Sequence, residues 1–501
     1  MEKILDKYQI IADRVPAKIT IYEQKEDSVP IYKIELPQIG ETTKLMLDQF
    51  MEDLSDKVPV DIEGVVDPKK VMEIKENLYQ ETRKYLQTKL TNLSKEKLDI
   101  LAGMILHKMY GLDFIEVILS DDYLEELAIN GPNQPIAVYH KKFGWCKTTQ
   151  EIGNQENIYT LSSQIGRKIG TEINLLNPIM DAHLLSGDRV SSTLFPISTE
   201  GNTITIRRFS RNPWTPVGLI KQGTMNAEIV AFLWIAIQYE LNIIIAGGTA
   251  SGKTSVLNAL CAFLPSTQRI ISIEDTREIS LPQNLKWNWV PLTSRNQNPE
   301  GKGEITMLDL MIASLRMRPD RIVVGEVRKR DQAETLFEAM HTGHSVYATM
   351  HADTVQQLKR RLIEPPISIP KTELEALHLG VVQVRDRIKG KRRTLEVAEI
   401  LSGGKNELEL NTIFRYRART DTFENISTST RIFEELNLHT GMTNQEILDD
   451  LDEKQKILTK MVDENIENIN DFGVLMHIYY SDKEKILNTL NSNKKFKELL
   501  K

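Results

Sequence analysis

Cysteine is nearly absent from this chain: its 501 residues contain two, Cys146 and Cys261. That excludes a disulfide framework and a four-cysteine zinc site. Basic excess is missing too, since 63 Lys and Arg against 70 Asp and Glu leave a formal net charge of -7. A protein whose main partner is bulk nucleic acid normally shows the opposite sign, although local basic patches stay compatible with this balance. Long apolar runs are also lacking. The longest, Ile229 to Ala246, is interrupted by Gln238, Glu240 and Asn242, so it reads as a buried helix feeding a core strand and not as a membrane span. The opening Met1-Glu2-Lys3-Ile4-Leu5-Asp6 is charged and holds no apolar leader, which predicts a cytoplasmic protein. There is no internal repeat, and the length predicts roughly two to four domains.

What is present is a phosphate-binding loop. The apolar run Ile243-Ile244-Ile245-Ala246 leads into Gly247-Gly248-Thr249-Ala250-Ser251-Gly252-Lys253-Thr254, followed by the helix-forming Ser255-Val256-Leu257-Asn258-Ala259-Leu260. Glycines at these positions let backbone N–H groups face a triphosphate, and the following helix presents its positive N-terminal end. In such a loop the lysine, here Lys253, reaches the β/γ-phosphates, and the hydroxyl of Thr254 can hold Mg²⁺. Gly247 through Ser255 are therefore the candidate nucleotide-binding residues.

Around this loop the chain is organised in segments. Residues 1–105 combine strand-like stretches (18–22, 31–34) with charged helical ones and show no chemical constellation. Residues 106–210 change to shorter elements and form an α/β domain. Pro135–His140 and Trp145–Thr149 pair across Phe143-Gly144, a helix covers 155–171, and Thr193–Ile197 and Thr203–Phe209 make a second hairpin across Glu200-Gly201-Asn202. Residues 211–224, with Pro213, Pro216 and Gly218, suit an interdomain linker. From 225 to 410 a helix at 226–240 and strands at 269–273, 322–324 and 345–349 alternate with helical stretches, the pattern of a parallel sheet with crossovers, and 393–400 ends the core. Residues 411–501 read as a helical C-terminal extension, clearest at 444–464 and 482–490.

Phosphoryl chemistry needs a strand-end carboxylate to place water or metal. Arg321-Ile322-Val323-Val324-Gly325-Glu326 supplies Glu326, whereas Asp320, at the other end of that strand, suits a solvated or capping role. A second strand, Ile271-Ser272-Ile273-Glu274, ends in Glu274, expected to share Mg²⁺ and water placement with Glu326. Asp275, Arg277 and Glu278 follow it without a definite role. His344 and His351 bracket a further strand, where they can relay strand position to phosphate occupancy. Arg189, Arg207 and Arg208, upstream of the linker, are candidates for a guanidinium supplied to the transition state. Arg207 and Arg208 are adjacent on a strand, so they face opposite ways and one of them meets a given nucleotide. The basic run Lys389-Gly390-Lys391-Arg392-Arg393 fits either an exposed hairpin turn or a contact to anionic lipid or an acidic loop.

Taken together, the loop, Ile273-Glu274-Asp275-Thr276-Arg277-Glu278, the stretch Arg316 to Arg328 and the stretch Thr342 to Asp353 resemble the Walker A, Asp, Walker B and His boxes of the type II/IV secretion ATPase superfamily. The resemblance is greatest to its archaeal branch, the archaellum motor ATPases of the FlaI type and the archaeal pilus assembly ATPases. Ile129-Asn130-Gly131-Pro132, Val138 to Trp145, Asn177 to Leu184, Gly187-Asp188-Arg189-Val190 and Gly201 to Phe209 add to it. It implies a RecA-like P-loop core with an N-terminal α/β, PAS-like domain, helical extensions and a homo-hexameric ring that binds ATP and Mg²⁺. It also implies ATP hydrolysis at the cytoplasmic face of the cell membrane, where domain motion acts on a polytopic membrane platform protein that assembles, and in an archaellum rotates, a filament. Lys253, Thr254, Glu274, Glu326 and His344 fall on the family's motif positions, and Arg189, Arg207 and Arg208 match N-domain arginines that approach phosphates. The tetracysteine insertion of bacterial type II members is lacking. Two other readings stand beside this one: a hexameric nucleic-acid translocase, which the acidic balance disfavours, and a nucleotide-gated scaffold with little turnover, which the pairing of Lys253 with Glu326 disfavours.

Overall fold

The computed structural model describes residues 3–57, 68–184, 187–208, 213–297, 301–386, 389–402, 408–492 and 494–500. The chain divides into two compact units, one of Met1–Arg211 with the short segment Asn298–Lys302, the other of the remainder.

The first unit is organised by a nine-stranded sheet. Its strands are β1 (Lys3–Ala12), β2 (Val15–Glu23), β3 (Ile31–Glu35), β4 (Leu124–Ile129), β5 (Pro135–His140), β6 (Gly144–Glu151), β7 (Ile179–His183), β8 (Arg189–Thr193) and β9 (Thr203–Arg207). They lie in the order β1-β2-β3-β6-β5-β4-β9-β8-β7, antiparallel throughout except where β3 runs parallel to β6. Along β5 the residues Ile136, Val138 and His140 are buried and alternate with more open ones, as a half-covered strand requires. The β5–β6 hairpin turns at Gly144, whose φ of 71° suits glycine. The second hairpin differs from expectation. Its first strand is β8, ending at Thr193, and residues 194–202 form a loop stitched by Asn202, whose Oδ1 accepts the Phe195 N–H at 2.8 Å. Phe209, the expected end of its partner, lies outside the described residues.

The segment before residue 105 contributes three strands to this sheet. β1 to β3 complete the sheet, and the buried carboxylate of Asp121 accepts hydroxyls from Tyr8 at 2.6 Å and Tyr32 at 2.7 Å. Helices Pro68–Lys89 and Lys95–Tyr110 pack with a small core of their own around Leu86, Leu101 and Ile105.

The second unit holds another nine-stranded sheet. It consists of β10 (Ile243–Gly247), β11 (Ile270–Glu274), β12 (Trp289–Thr293), β13 (Arg321–Val324), β14 (Ser345–Met350), β15 (Leu379–Asp386), β16 (Lys391–Ser402), β17 (Leu408–Arg417) and β18 (Thr422–Asn425). The order is β12-β11-β13-β14-β10-β15-β16-β17-β18. The first six strands run parallel and the last three join antiparallel. With β14 between the strand feeding the phosphate loop and the strand leading to Glu326, this is the RecA-like arrangement. β10 is buried on both faces. Ile243 and Ile245 pack into one core and Ile244 and Ala246 into the other, which is why the strand reads as an uninterrupted apolar run. Helix Ala227–Gln238 fills the first of these cores and is buried from Ile229 to Ile237. Among the described residues no helix is long and apolar enough to cross a membrane.

Two boundaries shift from the sequence reading. Within the expected linker, Arg211 and Asn212 lie outside the described residues, and Pro216–Lys221 is a short helix capped by Thr215, with Val217 and Leu219 buried. Apolar side chains entering the core outweigh the breaking tendency of the two prolines, and Pro216 at a helix start is well tolerated. Beyond 410, β17 and β18 extend the sheet before four helices begin: Arg431–Thr440, Asn444–Asp463, Ile469–Ser481 and Lys483–Leu490. These helices complete the core. Ile457, Leu458, Met461, Phe472 and Leu475 bury against the same cluster as Trp234 and Phe263, Trp234 Nε1 donates to the Tyr480 hydroxyl at 2.9 Å, and that hydroxyl donates to the Phe263 carbonyl at 2.7 Å. Lys454 is buried there against Asp450 at 2.5 Å, and burial lowers its pKa to about 8.

Candidate functional site

β10 delivers the chain to the phosphate loop, and helix Lys253–Cys261 carries it away. The loop depends on glycine at two points. Gly247 has φ 155°, and a Cβ there would lie 2.4 Å from the Gln383 carbonyl oxygen and 2.5 Å from Ser251 Oγ. Gly252 has φ 93° at the helix start. Ala250 between them sits at φ 58°, a left-handed conformation that costs a residue with a Cβ about 1 kcal/mol. Ser251 Oγ donates to the Gly248 carbonyl at 2.9 Å. The result is a tight backbone cradle at a helix N-terminus, suited to phosphate.

Lys253 is 8% exposed and folds back onto this loop, its Nζ donating to the Gly248 carbonyl at 3.1 Å. Burial holds its pKa below the ordinary lysine value, and the Glu326 carboxylate works in the opposite direction. Nζ also stands 3.5 Å from His351 Nδ1, the long limit of a hydrogen bond. On the other side of that ring, Nε2 lies 2.6 Å from Glu326 Oε1. A neutral imidazole accepts from Lys253 through Nδ1, while Glu326 Oε1, buried beside Nε2, takes no hydrogen bond among the described residues. Burial, and next the Lys253 charge, keep the His351 pKa below its usual value, in accord with the neutral ring. Glu326 Oε2 accepts from Arg328 at 2.6 Å, and Arg328 reaches Asp275 at 3.2 Å.

This chain of contacts comes from the parallel register. β10, β13 and β14 all end on one edge of the sheet, so Gly247, Glu326 and His351, each at or just beyond a strand C-terminus, converge there. Thr349 Oγ1 donates to the Gly325 carbonyl at 2.5 Å and fixes the strand ends against each other. The same register separates His344 from the site. His344 precedes β14, its N–H and ring bonding the Ala339 carbonyl at 3.1 and 3.2 Å and its Nδ1 lying 3.0 Å from Thr342 Oγ1. A six-residue strand spans about 20 Å, so within one chain His344 belongs to the opposite edge and His351 is the histidine at the loop. Asp320 also lies at that opposite edge, where its Oδ2 accepts the Arg269 N–H at 2.6 Å, a capping contact.

Glu274 has a different environment from the one expected. It is 2% exposed, and its Oε1 accepts the N–H groups of Glu278 at 2.8 Å and Ile279 at 2.9 Å. The carboxylate anchors the loop after β11, and burial pushes its pKa up to about 7. Oε1 thus anchors the loop, an additional role beside the expected pairing with Glu326, for which the second carboxylate oxygen is the available group. Glu274→Ala is expected to lower unfolding stability by about 2 kcal/mol, because two buried N–H groups lose their acceptor. Glu274→Gln keeps an acceptor and is expected to cost under about 1 kcal/mol, as measured by denaturant unfolding.

In the first unit the three arginines separate. Arg208 is structural. Its side chain is 5% exposed, and Nη1 donates to the carbonyls of Leu124, at 3.1 Å, and of Asp121. Arg189 pairs with Asp181, Nε donating at 2.9 Å. Arg207 is exposed at the end of β9 and stands opposite Arg189 in the sheet. Exposed Arg207 and half-buried Arg189 are thus the two whose guanidinium groups reach solvent.

Among the described residues no group of three His, Cys, Asp or Glu could form a metal cage. Mg²⁺ in nucleotide sites is held differently, by one or two protein oxygens together with phosphates and water. The glycine cradle at Gly247, with Thr254 in the first helical turn and Glu326 on the same edge, fits that mode.

Arg328 carried no individual role in the sequence, and Arg392 stood only as a member of the basic run Lys389 to Arg393. Arg328 lies two residues beyond Glu326 past a strand end, a spacing that could have pointed to it. Arg392 comes from β16, and its Nε donates to the Ala250 carbonyl at 3.1 Å. The basic run to which it belongs sits at the turn of the β15–β16 hairpin, with Lys389 and Gly390 exposed, as the first of its two readings has it. The side chains of Lys391, Arg392 and Arg393 bond within the unit, a cross-sheet register that left no trace in the sequence.

The family described as type II/IV secretion system protein matches residues 185–413. An uncharacterized protein of Methanocaldococcus jannaschii, MJ0900, is 34% identical over 328 residues, 65% of this chain and 58% of the relative. A second from that organism, MJ1287, is 38% identical over 250 residues, 49% of this chain and 91% of the relative. The type IV secretion system protein PtlH of Bordetella pertussis is 28% identical over 267 residues, 49% of this chain and 77% of the relative. The chain spans 58% and 46% of the first two curated relatives it matches. With nearly all of MJ1287 aligned, and the family match running from β8 to β17 across loop, Glu326 and both histidines, this chain belongs to the type II/IV secretion system protein family.

Proposed function

We propose that this protein is a Mg²⁺-dependent ATPase working as the motor of a membrane machine of the secretion or pilus type. The observation that carries the reading is the continuous contact from the phosphate loop through Lys253 and His351 to Glu326. The loop amides and Lys253 hold the triphosphate. Thr254 and Glu326 would hold Mg²⁺, which would supply neutralising charge to the phosphate oxygens. Glu326 orients the attacking water, and His351 keeps that carboxylate in place until a phosphate draws Lys253 toward itself. Family membership supports a role in secretion or pilus assembly, and the motif resemblance supports the archaeal branch, an archaellum or a type IV pilus-like filament. The working form is a homo-hexamer at the cytoplasmic face of the membrane, acting on an integral platform protein. Arg207, assisted by Arg189, completes a nucleotide site and stabilises charge in the transition state.

Purified full-length chain is expected to hydrolyse ATP only with Mg²⁺, at a specific rate that rises with protein concentration as rings form. Absence of hydrolysis at every concentration, with and without membrane partner, would overturn the proposal. Stimulation by single-stranded DNA at low salt would favour a translocase instead. The arginines give a sharper test. Arg207→Ala is expected to change unfolding stability by under about 1 kcal/mol, as for an exposed ion pair, and to reduce turnover by about 10³-fold. Arg208→Ala is expected to lower stability by about 2 kcal/mol through loss of the donor to two buried carbonyls. Equal effects of the two changes on turnover, with stability intact in both, would sink the division of roles.

A further inference from the structure

The hairpin of β15 and β16 lies between the phosphate loop and residues 216–224, the stretch through which the second unit's chain begins, and it bonds to both. On the loop side there are two contacts. Arg392 Nε donates to the carbonyl of Ala250, the residue held at φ 58°, and β15 pairs with β10 so that Gln383 stands opposite Gly247. The far side also has two. Arg393, the next residue, is 8% exposed, and its Nη1 donates to the Gln222 carbonyl at 3.1 Å. The Thr394 N–H donates to the Thr224 carbonyl at 2.8 Å. Inside the hairpin, Gln383 Nε2 donates to Thr394 Oγ1 at 2.7 Å in a buried position. Two short routes therefore run in parallel, Ala250 to Arg392 to Arg393 to Gln222, and Gly247 to Gln383 to Thr394 to Thr224.

The packing leaves little slack along these routes. A Cβ on Gly223 would sit 3.3 Å from Arg393 Nη2, and one on Gly252 would sit 3.3 Å from Arg392 Cδ. Arg393 is clamped from outside the hairpin as well, by Asp421 at 2.7 and 3.1 Å, and Asp421 also takes Lys391 at 2.7 Å. Arg392 is the responsive member of the set. Its bond on the loop goes from Nε to a neutral carbonyl, whereas a triphosphate on the same loop offers anionic oxygens, to which a guanidinium binds through two parallel bonds and an opposite charge.

We propose that Arg392 and Arg393 form a transmission element, in which Arg392 responds to nucleotide on the loop and Arg393 passes the displacement of β16 to residues 216–224. The inference rests on the loop being the nucleotide site. It gives the basic run an internal role in place of a lipid contact, and it makes Arg392 a positioning residue that acts on the loop backbone.

The test measures hydrogen exchange at amides 216–224 in the full-length chain, with and without the non-hydrolysable analogue AMP-PNP, alongside AMP-PNP affinity by calorimetry. In the wild type the analogue is expected to change protection of these amides by about five-fold or more. Arg392→Gln is expected to bind AMP-PNP within about ten-fold of the wild type and to lose that change, and Arg392→Lys to recover part of it. Arg393→Gln cuts the route at its other end and is expected to bind with unchanged affinity while also losing the response. Persistence of the full protection change in both Gln variants would overturn the inference, as would AMP-PNP binding to the wild type without any change at 216–224. Failure of the wild type to bind AMP-PNP would overturn the nucleotide reading itself.

Discussion

Glu326→Gln is expected to slow ATP turnover by about 10³-fold while leaving folding intact and nucleotide affinity within about ten-fold, since the loop amides, Lys253 and Thr254 remain. The substitution keeps the shape of the side chain and removes its charge. An amide still accepts from Arg328 through its oxygen, and Arg328 retains Asp275 at 3.2 Å, so no buried cation is stranded. What disappears is the carboxylate that orients or deprotonates water. Steady-state hydrolysis together with AMP-PNP calorimetry separates the two effects, since turnover falls far more than affinity. A loss smaller than about five-fold would show that Glu326 does not act on the water and would revive the reading as a nucleotide-gated scaffold.

Lys253→Ala is expected to remove binding and turnover together. The ammonium is buried, and its pKa is lowered by that burial; its hydrogen-bond partners among the described residues are one carbonyl and the edge of an imidazole. These are weak replacements for water, and a triphosphate is a far stronger partner. Truncating one member of such a desolvated charge pair costs about 2–5 kcal/mol, so AMP-PNP affinity is expected to fall by about a hundred-fold or more. The unliganded fold loses little, because removing a poorly compensated buried charge offsets the lost contacts. Calorimetric binding within about three-fold of the wild type would sink the assignment of Lys253 to phosphate.

The parts legible in the sequence were those written in consecutive residues. The run Ile243 to Ala246, the glycines around Ala250 and the Lys253-Thr254 pair announced the loop, and β11, β13 and β14 announced themselves by short apolar runs, whereas β12 and β15 of the same parallel core went unread. Glu326 was legible because a strand end followed by Gly-Glu is a local pattern. What stayed hidden depends on which edge of a sheet a residue reaches. His344 and His351 flank the same six-residue strand, and the strand order alone decides that His351 meets Lys253. Glu274 has the right position in sequence for a metal ligand, and two amides four and five residues downstream occupy one of its oxygens, a loop closure that leaves no periodic mark. The pairing of β3 with β6 and of Arg392 with the loop are likewise long-range, set by tertiary packing and not by local preference.

The bond from Tyr480 to the Phe263 carbonyl has a mechanical consequence. Phe263 lies two residues past the helix whose first residue is Lys253, and its ring stacks on Trp234 with centroids 5.0 Å apart. Tyr480, on the helix Ile469–Ser481, grips both aromatic residues through one hydroxyl. Load applied to the last helices is therefore borne at the far end of the helix that carries the phosphate-binding lysine, and the C-terminal region serves as a handle on the same lever whose other end holds the nucleotide.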